Sequence, residues 1–105
     1  MAWNRSAKVM FKDALAGVIE ETEQGYRFAY DGDFLSLEHP IAVNFPLQKE
    51  PFESKDLFPF FLGLLPEGWY REIACRTLKI DLEDDFGLLI KGCRDCIGAV
   101  WLDET

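Results

Sequence analysis

The sequence predicts an α+β fold in which about three helices pack on a small antiparallel sheet. In the first half of the chain, apolar and polar residues alternate with the period of two that is typical of strands. In the second half, apolar residues recur at the three-and-four spacing of helices. With 105 residues, of which 49% are hydrophobic, the chain has the size for one hydrophobic core. We therefore expect a single domain over residues 1–105.

Five segments are expected to form the sheet. The first two flank a short polar break at Lys12 and Asp13, and they should therefore pair through a tight connection. The third is closed by turn-forming residues at 31–33. The fourth alternates between two prolines, and the last lies close to the end of the chain. The expected strands are residues 8–11, 17–21, 26–30, 41–45 and 97–102.

Three helices are expected after the fourth strand. A loop over residues 46–54 leads to the first, which has Ser54 or Asp56 as its N-cap and Pro59 near its first turn, and which ends before Pro66. The second covers about residues 67–79. The third begins at Leu82 or Asp84 and ends at Lys91, and it contains the apolar residues Phe86, Leu88, Leu89 and Ile90.

The second helix carries an apolar stripe that is expected to face the core. Its members are Tyr70, Ile73, Ala74, Thr77 and Leu78.

Trp69 lies about 100° from the centre of this stripe, at the boundary between the core side and the solvent side of the helix. Two interpretations follow. The indole either folds back over Leu64 and Leu65 as a staple, or it projects as an exposed anchor for a partner. An ordered aromatic side chain at a helix start loses little conformational entropy on binding.

The charge balance excludes some classes of partner. There are 19 acidic and 11 basic residues, and the formal net charge is −8. Such a molecule repels phosphate backbones and anionic membranes, so we expect neither direct nucleic-acid binding nor a membrane partner. The start of the chain lacks a signal-peptide pattern and the longest apolar run is too short to cross a bilayer, which predicts a cytoplasmic protein.

The residues give little support to catalysis or metal binding. Cys93 and Cys96 form a CxxC pair that suits half of a zinc site or a redox pair, but the spare ligands are only Cys75 and His39. We expect His39 to be a solvated loop residue and the chain to hold no metal or cofactor.

Two other patterns in the sequence, the spacing of the glycines and the adjacent carboxylates, give no support to a functional site. The glycines lack the spacing of a phosphate-binding loop. The adjacent carboxylates at 20–21 and 84–85 are expected to be surface charges or helix-start charges rather than an acid and base pair.

Several segments together resemble the small N-terminal domain of HipA-family serine/threonine kinases. The segments are VMFKDALAGVIEE, YRFAYD, NFPLQKEPF, LFPFFLGLLPEGW and GCRDCIGAVWL. The most specific pieces are LLPEG at 64–68 and RDCIGAV at 94–100. In this family the domain precedes a larger kinase core that carries the ATP-binding and catalytic residues, and that core is not expected here because the chain stops at Thr105.

A free-standing domain of this kind resembles the HipS antitoxin of tripartite HipBST systems. The resemblance implies a non-enzymatic protein that binds and inhibits a separately encoded HipT-like kinase, whose targets in the family are aminoacyl-tRNA synthetases. It also implies a HipB-like DNA-binding protein in the same complex. The residues expected to contact the kinase are Pro66, Glu67, Gly68, Trp69, Tyr70 and Arg76.

Two alternatives stay open. The chain could be the non-catalytic N-terminal domain of a HipA-type kinase, in which case the same surface would pack within one polypeptide. It could instead be a small thiol or zinc protein that uses Cys93 and Cys96.

Overall fold

A five-stranded antiparallel sheet is the centre of the fold. The computed structural model describes residues 5–37, 39–42, 45–92 and 100–104, and of Glu104 only the backbone. The strands stand in the order β4-β3-β2-β1-β5. Their bounds are Ser6–Phe11 for β1, Ala14–Thr22 for β2, Gly25–Tyr30 for β3, Phe52–Ser54 for β4 and Val100–Glu104 for β5. The described helices are α1 (Gly32–Leu35), α2 (Pro59–Leu62), α3 (Gly68–Leu78) and α4 (Asp85–Gly92). The expected α+β class is confirmed.

Alternation along the strands builds one buried face. In β1, Ala7 and Val9 are buried while Lys8 is exposed, and in β3, Phe28 is buried while Arg27 is exposed. The buried strand residues join one hydrophobic cluster with side chains from α2 and α4. The sheet therefore has one face against the helices and one face in solvent.

Gly17 shows how closely the strands of this sheet approach one another. It pairs with Val9 on β1 and with Tyr30 on β3. A Cβ atom added at Gly17 would lie 2.2 Å from the carbonyl oxygen of Ala29. This strand position therefore requires glycine.

The expected fourth strand at 41–45 is wrong. Ile41 and Phe45 are buried, but the described residues of this segment form bends rather than a strand, and residues 43–44 lie outside the described part. The hydroxyl of Tyr30 accepts a hydrogen bond from the Ile41 backbone N–H at 3.1 Å and donates one to the Phe45 carbonyl oxygen. The buried Tyr30 therefore contacts both ends of this segment, and the burial of Ile41 and Phe45 reflects contacts with the core.

The strand that pairs with β3 comes from the segment expected to be a loop. Phe52 on β4 pairs with Phe28, and their rings lie 6.2 Å apart in a stacked arrangement. Because Ser54 lies in this strand, it cannot be the N-cap of the next helix. That helix, α2, begins at Pro59 after Phe58, which makes no side-chain capping bond, and it ends at Leu62 rather than at residue 65.

Helices α3 and α4 lie close to the bounds expected from the sequence, whereas α1 forms where a turn was expected. Residues 31–33, expected to be a turn, begin the single-turn helix α1, whose N-cap Asp31 accepts a hydrogen bond from the Asp33 backbone N–H at 3.1 Å. Helix α3 differs from the expected 67–79 by one residue at each end, and its C-cap Lys79 has a left-handed φ of 58°. Helix α4 confirms the third expected helix. The last strand lies at Val100–Glu104, and residues 97–99 of the expected strand are outside the described part.

Within the described residues, no helix combines the length and the apolar character that crossing a bilayer requires.

Candidate functional site on the outer face of helix α3

Helix α3 turns apolar side chains toward solvent. Trp69 is 63% exposed, Tyr70 is 64% exposed and Ile73 is 47% exposed. The expectation that the stripe of this helix faces the core is therefore wrong. Of its five members only Ala74 packs against the core cluster, while Thr77 and Leu78 are also exposed. An apolar helix face that is exposed in the folded domain is typical of a surface that binds another molecule.

Five of the exposed side chains of α3 share one side of the helix. At about 100° per residue, positions 69, 73 and 77 fall within an arc of roughly 80°, and positions 70 and 76 lie about 20° beyond its two ends. We call this side, which carries Trp69, Tyr70, Ile73, Arg76 and Thr77, the outer face of α3. The opposite side carries the buried Cys75, and the partly buried Ala74 lies about 40° beyond Tyr70.

Arg71 holds the inner side of α3 against α4. Its Nη2 atom donates hydrogen bonds to the Leu82 carbonyl oxygen at 2.7 Å and to Asp85 Oδ1 at 2.5 Å. The Arg71 side chain is only 20% exposed. The inner side of α3 is thus held by a polar contact, while Trp69, Tyr70 and Ile73 lie on the outer face. The sequence pattern did not identify Arg71, since its partners lie 11 and 14 positions away.

The start of α3 presents two aromatic rings as one unit. The rings of Trp69 and Tyr70 stack with centroids 4.4 Å apart and an interplanar angle of 23°. Gly68 before them has a φ of +62°, and a Cβ atom added there would meet nothing within 4 Å. The exposed interpretation of Trp69 therefore agrees with the structure.

Of the other residues expected to contact a partner, Pro66, Glu67 and Gly68 directly precede this stack in the chain, and Arg76 lies in the last turn of α3. Pro66 is half-buried, whereas Glu67 and Arg76 are exposed. Glu67 is the N-cap of α3 and makes no side-chain capping bond. The structure thus places five of the six expected contact residues in the turn before α3 and at its start, whereas Arg76 lies in the last turn of the helix. Whether a partner binds there stays a prediction.

The carboxylates at 20–21 and 84–85 belong to ion pairs. Arg5 contacts Glu21 at 2.9 Å and Asp84 at 2.7 Å, and so connects β2 to the start of α4. Hydrogen bonding to Arg5 lowers the pKa of Asp84, and the bonds to Glu21 and Asp84 raise the pKa of Arg5. Asp84 also accepts a bond from the Gly87 backbone N–H at 3.1 Å, which confirms its expected place at a helix start. This arrangement stabilises the fold, and it differs from the polarised pair that acid and base catalysis needs.

The thiol and metal alternative depends on Cys93 and Cys96, so the described residues do not test it and it stays a prediction. Among them, no group of three or more His, Cys, Asp or Glu side chains could hold a metal ion. Cys75 is buried, and His39 is exposed with its Nδ1 atom 2.9 Å from the Pro40 carbonyl oxygen. Cys93 and Cys96 lie outside the described residues.

Comparison with known proteins decides the family. The model of the HipA N-terminal domain matches residues 7–103. The chain belongs to the HipA N-terminal domain family. A solved structure described as the N-terminal domain of HipA toxin resembles this HipA N-terminal domain with a TM-score of 0.75 and 29% sequence identity. The match covers 100% of this chain and 96% of that chain.

Two relatives place the HipA N-terminal domain in proteins of different length. An uncharacterized protein of Haemophilus influenzae is 34% identical over 100 residues, which cover 95% of this chain and 92% of the relative. The putative kinase Y4mE of Sinorhizobium fredii is 36% identical over 77 residues, or 71% of this chain. These residues span only 18% of the kinase. The domain therefore occurs both in a small protein and as a minor part of a larger one.

Proposed function

We propose that this HipA N-terminal domain is a non-enzymatic antitoxin of a HipBST-type system. It binds and inhibits a separately encoded HipA- or HipT-like serine/threonine kinase, and a HipB-like DNA-binding protein is part of the same complex. The observation that carries the proposal is the exposed stack of Trp69 on Tyr70 at the start of α3. The similarity to a segment of a putative kinase supports a kinase as the partner.

The inhibitor acts by surface contact. Its contact region is the turn at residues 66–70, where Trp69 enters a pocket near the kinase cleft. Tryptophan is over-represented among the residues that dominate binding energy at protein interfaces, and this indole is exposed and stacks on the ring of Tyr70. A stable complex of this kind buries about 800 Å² on each partner. The net charge of −8 favours a kinase surface that is basic around the contact.

A second candidate function is that of the N-terminal domain of a HipA-type kinase. The match to 18% of a putative kinase favours it. In that case Trp69 packs against a kinase core in the same polypeptide. The match to 92% of a small Haemophilus influenzae protein favours the separate antitoxin. The reading frame and its neighbouring genes distinguish the two candidates.

The test is co-purification of the chain with the products of its neighbouring genes, followed by a kinase assay with and without the chain. We expect a stable complex in which phosphorylation of the kinase's substrate, an aminoacyl-tRNA synthetase, is strongly reduced. Full kinase activity within a stable complex would refute inhibition and leave binding intact. The absence of a complex at micromolar concentrations would refute both.

A further inference from the structure

Ile73 lies one helical turn after Trp69 and leaves about half of its side chain in solvent. We propose that the kinase contact extends along the outer face of α3, with Ile73 as a second anchor that enters the same groove as Trp69. This inference rests on the proposed function and extends it from the turn at residues 66–70 to the body of the helix.

The spacing of the exposed residues is that of a helix that binds in a groove. Trp69, Ile73 and Thr77 follow one another at intervals of four, and Tyr70 lies beside them. With a rise of about 1.5 Å per residue, this row extends roughly 12 Å along the helix. Amphipathic helices that bind apolar grooves use anchors at such spacings.

The attachment of α3 to its own domain leaves this face free to bind. Arg71, on the inner side, holds the helix to the segment before α4 through the Leu82 carbonyl oxygen and Asp85. The buried Cys75 lies on the same inner side. The position of α3 is therefore fixed from its inner side, and a partner can cover the outer face without displacing the helix.

A kinase is the occupant that the observations favour. The same kind of domain forms part of a putative kinase in Sinorhizobium fredii, where it lies in one polypeptide with a much larger remainder. A second copy of this chain is disfavoured because each copy has a formal charge of −8 and the two would repel each other. An anionic membrane surface is disfavoured for the same reason.

The test measures the Kd between the purified kinase and variants of the chain by isothermal titration calorimetry. We expect Ile73→Ala to weaken binding about tenfold and Ile73→Asp about a hundredfold or more, because the aspartate would place a charge in an apolar groove. The matched control is Leu37→Ala. Leu37 is 59% exposed in the turn after α1 and should leave the Kd within about twofold. Circular dichroism and thermal unfolding verify that each variant folds.

The outcomes separate this inference from the proposed function. Wild-type binding that Trp69→Ala weakens and Ile73→Asp does not would overturn the second anchor and leave the antitoxin proposal intact. No binding by the wild-type chain would overturn both. Sedimentation that shows a dimer dissociated by Ile73→Asp would assign the outer face to a second copy, and would overturn the kinase as its occupant.

Discussion

Replacing Trp69 with alanine should affect binding far more than folding. The indole is 63% exposed, so its removal deletes few contacts within the domain. We expect the free energy of unfolding to fall by no more than about 1 kcal/mol, as for most surface substitutions without a special structural role. Phe61→Ala provides the reference for a core position. Phe61 is 0% exposed, and deleting a buried phenylalanine side chain costs about 3 to 5 kcal/mol.

The effect of Trp69→Ala on the kinase complex should be larger. A tryptophan that fills a pocket at the centre of an interface loses about 2 kcal/mol or more on truncation, which corresponds to roughly a 30-fold increase in Kd. Urea unfolding measures the first effect, and titration with the kinase measures the second. Trp69→Phe should fall between the wild type and Trp69→Ala in affinity because it keeps an aromatic ring.

Two results would refute this reasoning about Trp69. A folded Trp69→Ala variant that inhibits the kinase as strongly as the wild type would show that the indole is not an anchor. A loss of stability comparable to that of Phe61→Ala would show that the indole packs into the domain. Trp69→Ala and Phe61→Ala are compared in the same urea unfolding assay, so the core variant is the stability reference for the surface variant.

Three further predictions concern the fold. Tyr30→Phe should lower the free energy of unfolding in urea by about 1 to 3 kcal/mol, because the Ile41 N–H and the Phe45 carbonyl oxygen lose their partner. An unchanged urea midpoint would contradict these hydrogen bonds. Because Arg5 lowers the pKa of Asp84, this carboxylate stabilises the fold above the ordinary aspartate pKa of about 3.9 and loses that contribution as the pH falls through its lowered value. Asp84→Asn should therefore flatten the acid side of a plot of unfolding free energy against pH, and an identical slope would refute the ion pair. Lys79→Gly should raise stability by about 1 kcal/mol because glycine adopts the left-handed C-cap of α3 without strain, so a lower urea midpoint would contradict that geometry.

The first three strands could be predicted because their signals are local. Alternating residues on both sides of Lys12 and Asp13 specify a hairpin without reference to the rest of the chain. The fourth strand could not be predicted in the same way. Strand β4 has only three residues, and its pairing with β3 depends on the distant contact between Phe28 and Phe52. The competing pattern at 41–45 reflects the burial of Ile41 and Phe45 in the core, and the hydrogen bonds of the Tyr30 hydroxyl to their backbone groups are not visible to propensity or periodicity.

The candidate site could be predicted only in part from the periodicity of the sequence. The sequence identified the apolar stripe of α3 and the unusual place of Trp69, but it assigned the stripe to the core. Periodicity reports which side chains share a helix face, and it does not report whether that face meets the domain's own core or another molecule. In this domain, the polar contact between Arg71 and Asp85 and the packing of the buried Cys75 hold helix α3.

The composition of α3 is explained most directly by a face that is buried only in a complex. A helix that served the core alone would gain stability by turning its largest apolar side chains inward, yet Trp69 and Tyr70 are both more than half exposed and are stacked on each other. Exposed aromatic pairs add little to the stability of a free domain. They add much at an interface, because both rings lose their remaining contact with water when a partner covers them. If the outer face has this role, substitutions there should change affinity while leaving urea midpoints nearly constant, and substitutions at Arg71 should change both.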